Sequence, residues 1–193
     1  MKKATFILFI FLVISQISFA QDAYKLDNLH TSVRFKVQHL GIALFTGGFD
    51  EFEGALKYAP DNLKGSELTF KVKISSVNTG NKRRNEHLQK ADFFDAKNYP
   101  EMTFKSTYFK KGATKKDMAV KGMLTIRGVT KMVTFTVKDL GARDIPNFGF
   151  RRGFTATTQI KRSEFGVNYG LKKGLLGDEV TIEVFAEFIR DKK

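Results

Sequence analysis

The chain has 193 residues, 33 basic and 20 acidic side chains for a formal charge of +13, and no cysteine. That length supports one domain with a real core. The missing thiols exclude disulfides, thiolate metal ligands, a cysteine nucleophile and a lipid-modified N-terminal cysteine.

The chain opens as an address. Lys2 and Lys3 precede an apolar run at residues 6–14, and Ser18-Phe19-Ala20 places small residues at the −3 and −1 positions of a cleavage site. This is the layout of a secretory signal peptide. The run falls short of the roughly 20 residues that a spanning helix needs. Residues 1–20 are therefore expected to be removed, leaving residues 21–193 as one domain in a periplasm, with full secretion as the alternative. No later apolar segment is long enough to cross a membrane. Outside the cytoplasm nucleic acid is scarce, so the positive charge points to lipid phosphates or anionic glycans if it has a partner at all. Its dispersal, as in VRFKVQ and FKVKI, fits a solvated outer surface.

From there period-2 alternation dominates. SVRFKVQH puts Val33, Phe35 and Val37 on one face and Arg34, Lys36 and Gln38 on the other. A longer strand covers residues 45–58, where Gly47, Gly48 and Gly54 signal bends or bulges. ELTFKVKI alternates Leu68, Phe70, Val72 and Ile74 against polar partners. One segment then breaks the pattern. Asn81 can cap a short helix running to about Lys90, with Glu86 and Lys90 as an i,i+4 pair and Leu88 with Ala91 on its inner side. Pro100 ends the irregular DFFDAKNYP and marks entry to the next strand. Further strands read at residues 101–110, 117–127, 130–140, 152–162 and 178–189, with a glycine-rich cationic loop, NYGLKKGLLGD, at 168–178.

About eight amphipathic antiparallel strands hide their apolar faces in a sandwich or a closed barrel, and closure also removes the edges. An eight-stranded barrel is filled by its own side chains or holds one slim ligand. Twenty Phe, five Tyr and no Trp suit a dry core and a hydrocarbon-lined tunnel equally.

The segment RNEHLQKADFFDAKNYPEMTFKS, residues 84–106, mixes ionisable groups with Phe93, Phe94, Tyr99, Met102 and Phe104. Reaction chemistry finds little purchase in the chain. His87 is followed at i+4 by Ala91, so a helical H-E-x-x-H zinc site is absent. His30 and His39 are separated by an odd number of positions and fall on opposite faces of a strand. Ser163 lacks the flanking glycine of a nucleophile elbow. GVTK at 128–131 lacks the spacing of a phosphate loop, and paired carboxylates such as Glu51 with Glu53 or Asp92 with Asp95 are common by chance. No metal ligand set and no catalytic residue is assigned.

Several stretches taken together resemble one family. They are DNLHTSVRFKVQHLG (27–41), GGFDEFEG (47–54), the 84–106 segment, GMLTIRGVTKMVTF (122–135), KRSEFG (161–166) and GDEVTIEV (177–184). Their order and spacing are similar to the YceI-like, polyisoprenoid-binding proteins of the bacterial periplasm. The most specific part is the pairing of H-L-x-x-x-D-F-F-D with L-T-I-x-G-V-T-K. The resemblance implies a lipocalin-like, extended eight-stranded antiparallel barrel with one short helix as a lid, and a tunnel that holds an isoprenoid or similar tail. It favours the tunnel over the filled core. One position departs from the family pattern: an Asp often found after the arginine is here Asn85, which removes a carboxylate partner for Arg84.

With that resemblance, the expected function is a carrier or store for a long-chain isoprenoid or other amphiphilic lipid. No cofactor is expected beyond the bound lipid, a polyisoprenoid or isoprenoid quinone. Strand parity makes Val33, Phe35, Val37, Phe70, Val72, Phe104, Leu124, Phe135, Ile182 and Val184 the wall, joined by Phe49. Phe93, Phe94 and Met102 are expected at lid and mouth, with Arg84 and His87 nearest a polar head group. Truncating Phe93 and Phe94 is expected to weaken lipid retention more than the fold. A small enzyme using His87 with nearby carboxylates, and a filled-core interaction module, are the alternatives. Contact with a membrane surface and a homodimer stay open.

Overall fold

The computed structural model describes residues 21–191; the expected leader lies outside them. Eleven antiparallel strands follow in order: β1 (Asp22–Leu26), β2 (Ser32–His39), β3 (Ala43–Phe49), β4 (Phe52–Tyr58), β5 (Glu67–Lys73), β6 (Val77–Asn78), β7 (Glu101–Lys111), β8 (Asp117–Ile126), β9 (Val129–Ile145), β10 (Gly149–Lys161) and β11 (Leu176–Arg190). One α-helix, α1 (Lys82–Leu88), stands between β6 and β7.

The strands β1-β4-β5-β7-β8-β9-β10-β11 pair in sequence, and β1 returns to β11. The result is a closed eight-stranded barrel. β11 is long enough to serve twice. Its end pairs β1 through Leu26↔Phe188 and Tyr24↔Arg190, while Val180 to Phe185 and, past a bulge, Leu176 pair β2. β2, β3 and β6 thus extend the wall beyond the ring.

Alternation explains the interior. In β8 Met118, Val120, Leu124 and Ile126 are buried at every second position, as one face of a half-solvated strand requires. Register carries that face around the barrel: Phe70 opposes Phe104, Phe104 opposes Leu124, and Val120 opposes Phe135. Phe104 lies over Gly122, where an added Cβ would come within 2.5 Å of both the Phe104 ring and the Lys105 carbonyl oxygen. Only glycine lets the ring cross β8 there.

The structure revises the expected elements in four places. The strand at 45–58 is two strands, β3 and β4, broken at Asp50 and Glu51. β1 lacks a long alternating run and was not expected; it is nevertheless the strand that closes the ring. β9 and β10 run longer than expected because they pair with each other from Ile145↔Gly149 onward. The helix ends at Leu88, so Lys90 lies beyond it, unpaired with Glu86, and Ala91 is exposed. The cap is as expected, Asn81 Oδ1 accepting from the Arg84 N–H at 3.0 Å.

Candidate ligand-binding site

The barrel interior holds two cavities. An inner chamber of about 130 Å³ lies within the ring, and an outer one of about 320 Å³ lies toward the extension and α1. Val33, Met102, Ile126 and Ile182 border both, so the chambers meet at a waist of four apolar side chains.

The inner chamber is walled almost entirely by hydrocarbon. Phe70, Val72, Phe104, Leu124, Phe135 and Val184 line it, with Phe104 meeting Phe135 edge-to-face at 5.1 Å. Its far end is closed by a polar plug. The Tyr58 hydroxyl donates to Asp139 Oδ2 at 3.2 Å, Arg152 pairs with the same carboxylate, and the guanidinium lies over the Tyr58 ring. Burial, helped by the adjacent Asp139 charge, pushes the Tyr58 phenol far above its usual range. The hydroxyl therefore stays a neutral donor.

The outer chamber has a different character. Phe35, Val37, Phe49, Phe93 and Phe94 supply apolar wall, and Arg34, His39, Thr79, Arg84, His87 and Arg162 bring polar atoms to it. Phe35 folds across Gly47, its cross-strand partner, where a Cβ would sit 2.5 Å from the ring. Arg84 is held without an acid. Its Nε donates to Thr79 Oγ1 at 2.8 Å and its Nη2 to the Thr79 carbonyl at 2.7 Å, and the guanidinium lies over Phe45. Asn85 takes part through Thr79: its Oδ1 accepts from the Thr79 N–H and hydroxyl. Among the described residues Arg84 forms no ion pair, so its remaining donors are available at the mouth.

Arg162 is a second cation on this wall, only 6% exposed. It donates to three backbone carbonyls, those of Gly177, Val167 and Leu176. Burial lowers its pKa, with the nearby Asp178 charge opposing. Arginine nonetheless keeps its proton in proteins, so the chamber carries a fixed positive charge.

The connection after α1 covers the outer chamber. Phe93 is 6% exposed, with His87 and Tyr169 against it at ring distances of 4.9 and 4.7 Å. His87 Nε2 bonds Asp92 Oδ2 at 2.8 Å. Phe94 is half-buried and meets Phe49 edge-on. Glu86, Lys90 and Asp92 face water.

All sixteen side chains named from the sequence border one chamber or both. Sequence reasoning missed Arg162, Tyr169 and Phe45 in the outer chamber, and Tyr58, Phe109, Val137, Phe154 and Phe188 in the inner one. Val137 and Phe188 follow from parity with Phe135 and Val184, whereas β10, which carries Phe154, has no assigned wall residue to count from. Phe109 does not follow either, because a bulge between Ser106 and Tyr108 resets the parity of β7. The three histidines do not gather: His39 and His87 border the outer chamber, while His30 bonds Asp27 elsewhere. Asp27, His30 and Glu187 do place ligand-type atoms close together. There the cation is Arg151, which pairs with both carboxylates.

Comparison with known proteins gives a consistent picture. Residues 24–188 match the family model described as the YceI-like domain. The chain is 35% identical over 171 residues to Protein YceI of Escherichia coli O17:K52:H18, covering 88% of this chain and 87% of that protein. The crystal structure of BcnA from Burkholderia cenocepacia superposes with a TM-score of 0.76 at 26% identity, over 84% of this chain and 98% of BcnA. A polyisoprenoid-binding domain from Saccharophagus degradans, implicated in plant cell wall breakdown, shares the fold at a TM-score of 0.65 and 18% identity, over 89% of this chain and all of that one.

Proposed function

The chain belongs to the YceI-like family, and on that premise we propose that it carries one long-chain amphiphilic lipid, tail inward, through the two chambers. The single observation behind this reading is the gradient of polarity along the cavity. The inner chamber is hydrocarbon up to the Tyr58 plug, and polar donors converge only at the outer end, around Arg84, His87 and Arg162. A linear molecule with one polar terminus fits that gradient in one direction. The S. degradans domain indicates that a barrel of this fold can house a polyisoprenoid.

Burial of the tail would drive binding at about 25 cal/mol per Å² of apolar surface, and the outer chamber alone reaches the roughly 300–1,000 Å³ of small-molecule pockets. A wall of Phe, Val and Leu reads length and girth rather than functional groups. Isoprenoid quinones, polyisoprenoids and fatty acyl chains should therefore compete for it, in a binding protein of the periplasm rather than an enzyme. Mass spectrometry of an organic extract of the purified protein tests the reading. A stoichiometric long-chain lipid supports it; an empty protein that also takes up no added lipid overturns it.

A further inference from the structure

The mouth of the outer chamber ends in two loops that together have the character of a membrane-contacting surface. The turn between β2 and β3 and the start of β3 carry Leu40, Ile42 and Leu44 at 48%, 87% and 60% exposure. Beside it the 168–175 loop folds on itself through Leu175 N–H to the Gly170 carbonyl at 2.9 Å. The Leu40 N–H donates to the Leu175 carbonyl at 3.0 Å, joining the two loops into one unit. Lys172 and Lys173 are exposed on that loop, and Tyr169 at its start is exposed as well. Residues 38–46 and 168–177 contain no Asp or Glu.

The turn itself is informative. Leu40 has φ +53° and Gly41 φ +71°, and the Ile42 N–H returns to the His39 carbonyl at 3.2 Å. Within this three-residue connection, His39 to Ile42 form a β-turn whose two central residues are both left-handed, positions that Asn and Gly favour. Leucine is disfavoured there because its Cβ crowds the backbone. The fold would be better served by asparagine, and an exposed leucine held at a backbone cost is a feature that packing does not explain.

We propose that these joined loops dock the mouth on an anionic lipid bilayer, Leu40, Ile42 and Leu44 entering the interface while Lys172 and Lys173 meet lipid phosphates. Apolar tips flanked by lysines bind such surfaces by the sum of buried area and charge attraction. A second copy of this chain is the poorer occupant, since tip-to-tip contact would set Lys172 and Lys173 of both copies against each other on a molecule already at +13. Glu86 and Asp92, the exposed acids near the lid, belong to α1 and its connection, not to these loops. The inference extends the carrier reading, because His39 and Phe45, the neighbours of the turn, border the chamber itself.

The full chain is expressed with its own N-terminal segment, and the product that the cell makes is tested by co-sedimentation. Vesicles of equal parts phosphatidylglycerol and phosphatidylcholine should bind it, vesicles of phosphatidylcholine alone far less, and added salt should weaken binding. Lys172→Gln/Lys173→Gln should lose on the order of tenfold or more in affinity, and Ile42→Ser/Leu44→Ser a comparable factor. Leu40→Asn should melt higher than wild type yet bind vesicles less well, a split that a purely structural leucine could not give. Equal binding to neutral and anionic vesicles, or variants that bind as wild type does, would overturn the proposal. So would a wild-type dimer in sedimentation that Ile42→Ser dissolves, which assigns the tips to a second copy. Lipid added from ethanol should load equally into wild type and these variants. A protein that binds vesicles but loads no lipid ends the carrier reading and leaves this one standing.

Discussion

The backbone carbonyl of Phe93 accepts a hydrogen bond from Arg127 Nη1 at 3.1 Å. The same nitrogen donates to the Gly166 carbonyl at 2.9 Å, so one side chain from the β8–β9 turn fastens the cover of the outer chamber to the loop opposite. A charged donor shared by two carbonyls is worth roughly 1.5–3 kcal/mol per bond. Replacing Arg127 with Met keeps much of the length and removes the donors. Lipid should then leave about tenfold faster or more, read by stopped-flow transfer to acceptor vesicles, while the barrel melts only slightly lower.

The two lid phenylalanines should separate. Phe93 is packed between His87 and Tyr169 and is as buried as the core ring of Phe49, so its truncation to Ala should cost the ligand-free protein about 3 kcal/mol. The sequence-based expectation, that truncating the pair weakens lipid retention more than the fold, treats the two rings alike; the burial of Phe93 sets it apart from Phe94. Half-buried Phe94 should cost about 1–2 kcal/mol and chiefly speed lipid release. Equal stability losses in urea titrations of the two single variants would contradict the assignment.

Acid should weaken the seam between β1 and β11. Burial raises the pKa of Asp27, but hydrogen bonds from His30, Arg151 and the Leu29 N–H outweigh it and hold the carboxyl at about 2. A depressed folded value means that the stabilisation is present above the unfolded value near 4 and is lost as pH falls toward 2. Asp27 should contribute roughly 2 kcal/mol over that window. Asp27→Asn should lower the urea midpoint at pH 7 and flatten its decline between pH 4 and 2.

The closed end of the inner chamber should tolerate one deletion and not the other. Tyr58→Phe removes a neutral donor and should cost about 1 kcal/mol, with lipid affinity unchanged. Asp139→Asn leaves Arg152, whose Nε has no partner among the described atoms, buried without its counter-charge. A loss of about 3–5 kcal/mol is expected, measured by thermal or urea unfolding.

How much of this was legible follows from which forces leave a local trace. Alternation is local, so Val33, Phe35, Phe70, Val72, Leu124 and Ile182 could be assigned to one interior from strand parity alone. Closure is not local. DAYKL is too short to advertise β1, and only its long-range pairs with β4 and β11 make it a strand. The tunnel came from the family resemblance rather than from composition, since phenylalanine fills a core as readily as it lines a cavity. Arg162 left no trace either. A buried arginine satisfied by three carbonyls looks in sequence like any surface cation.

β11 runs unbroken through both halves of the molecule, and this makes the protein a pipe with a spout rather than a uniform cylinder. Around the ring every strand has two neighbours, so widening it would break a full ladder. Above the ring, β3 has β2 on one side and on the other only the two residues of β6, at Gly48↔Asn78 and Phe49↔Val77. The spout can therefore flare at residues 43–47 while the pipe stays shut, with β11 as the spine on which both are hung. Amide exchange should record this as a step between two consecutive strands, fast in β3 and slow in β4, although the two are neighbours in the chain.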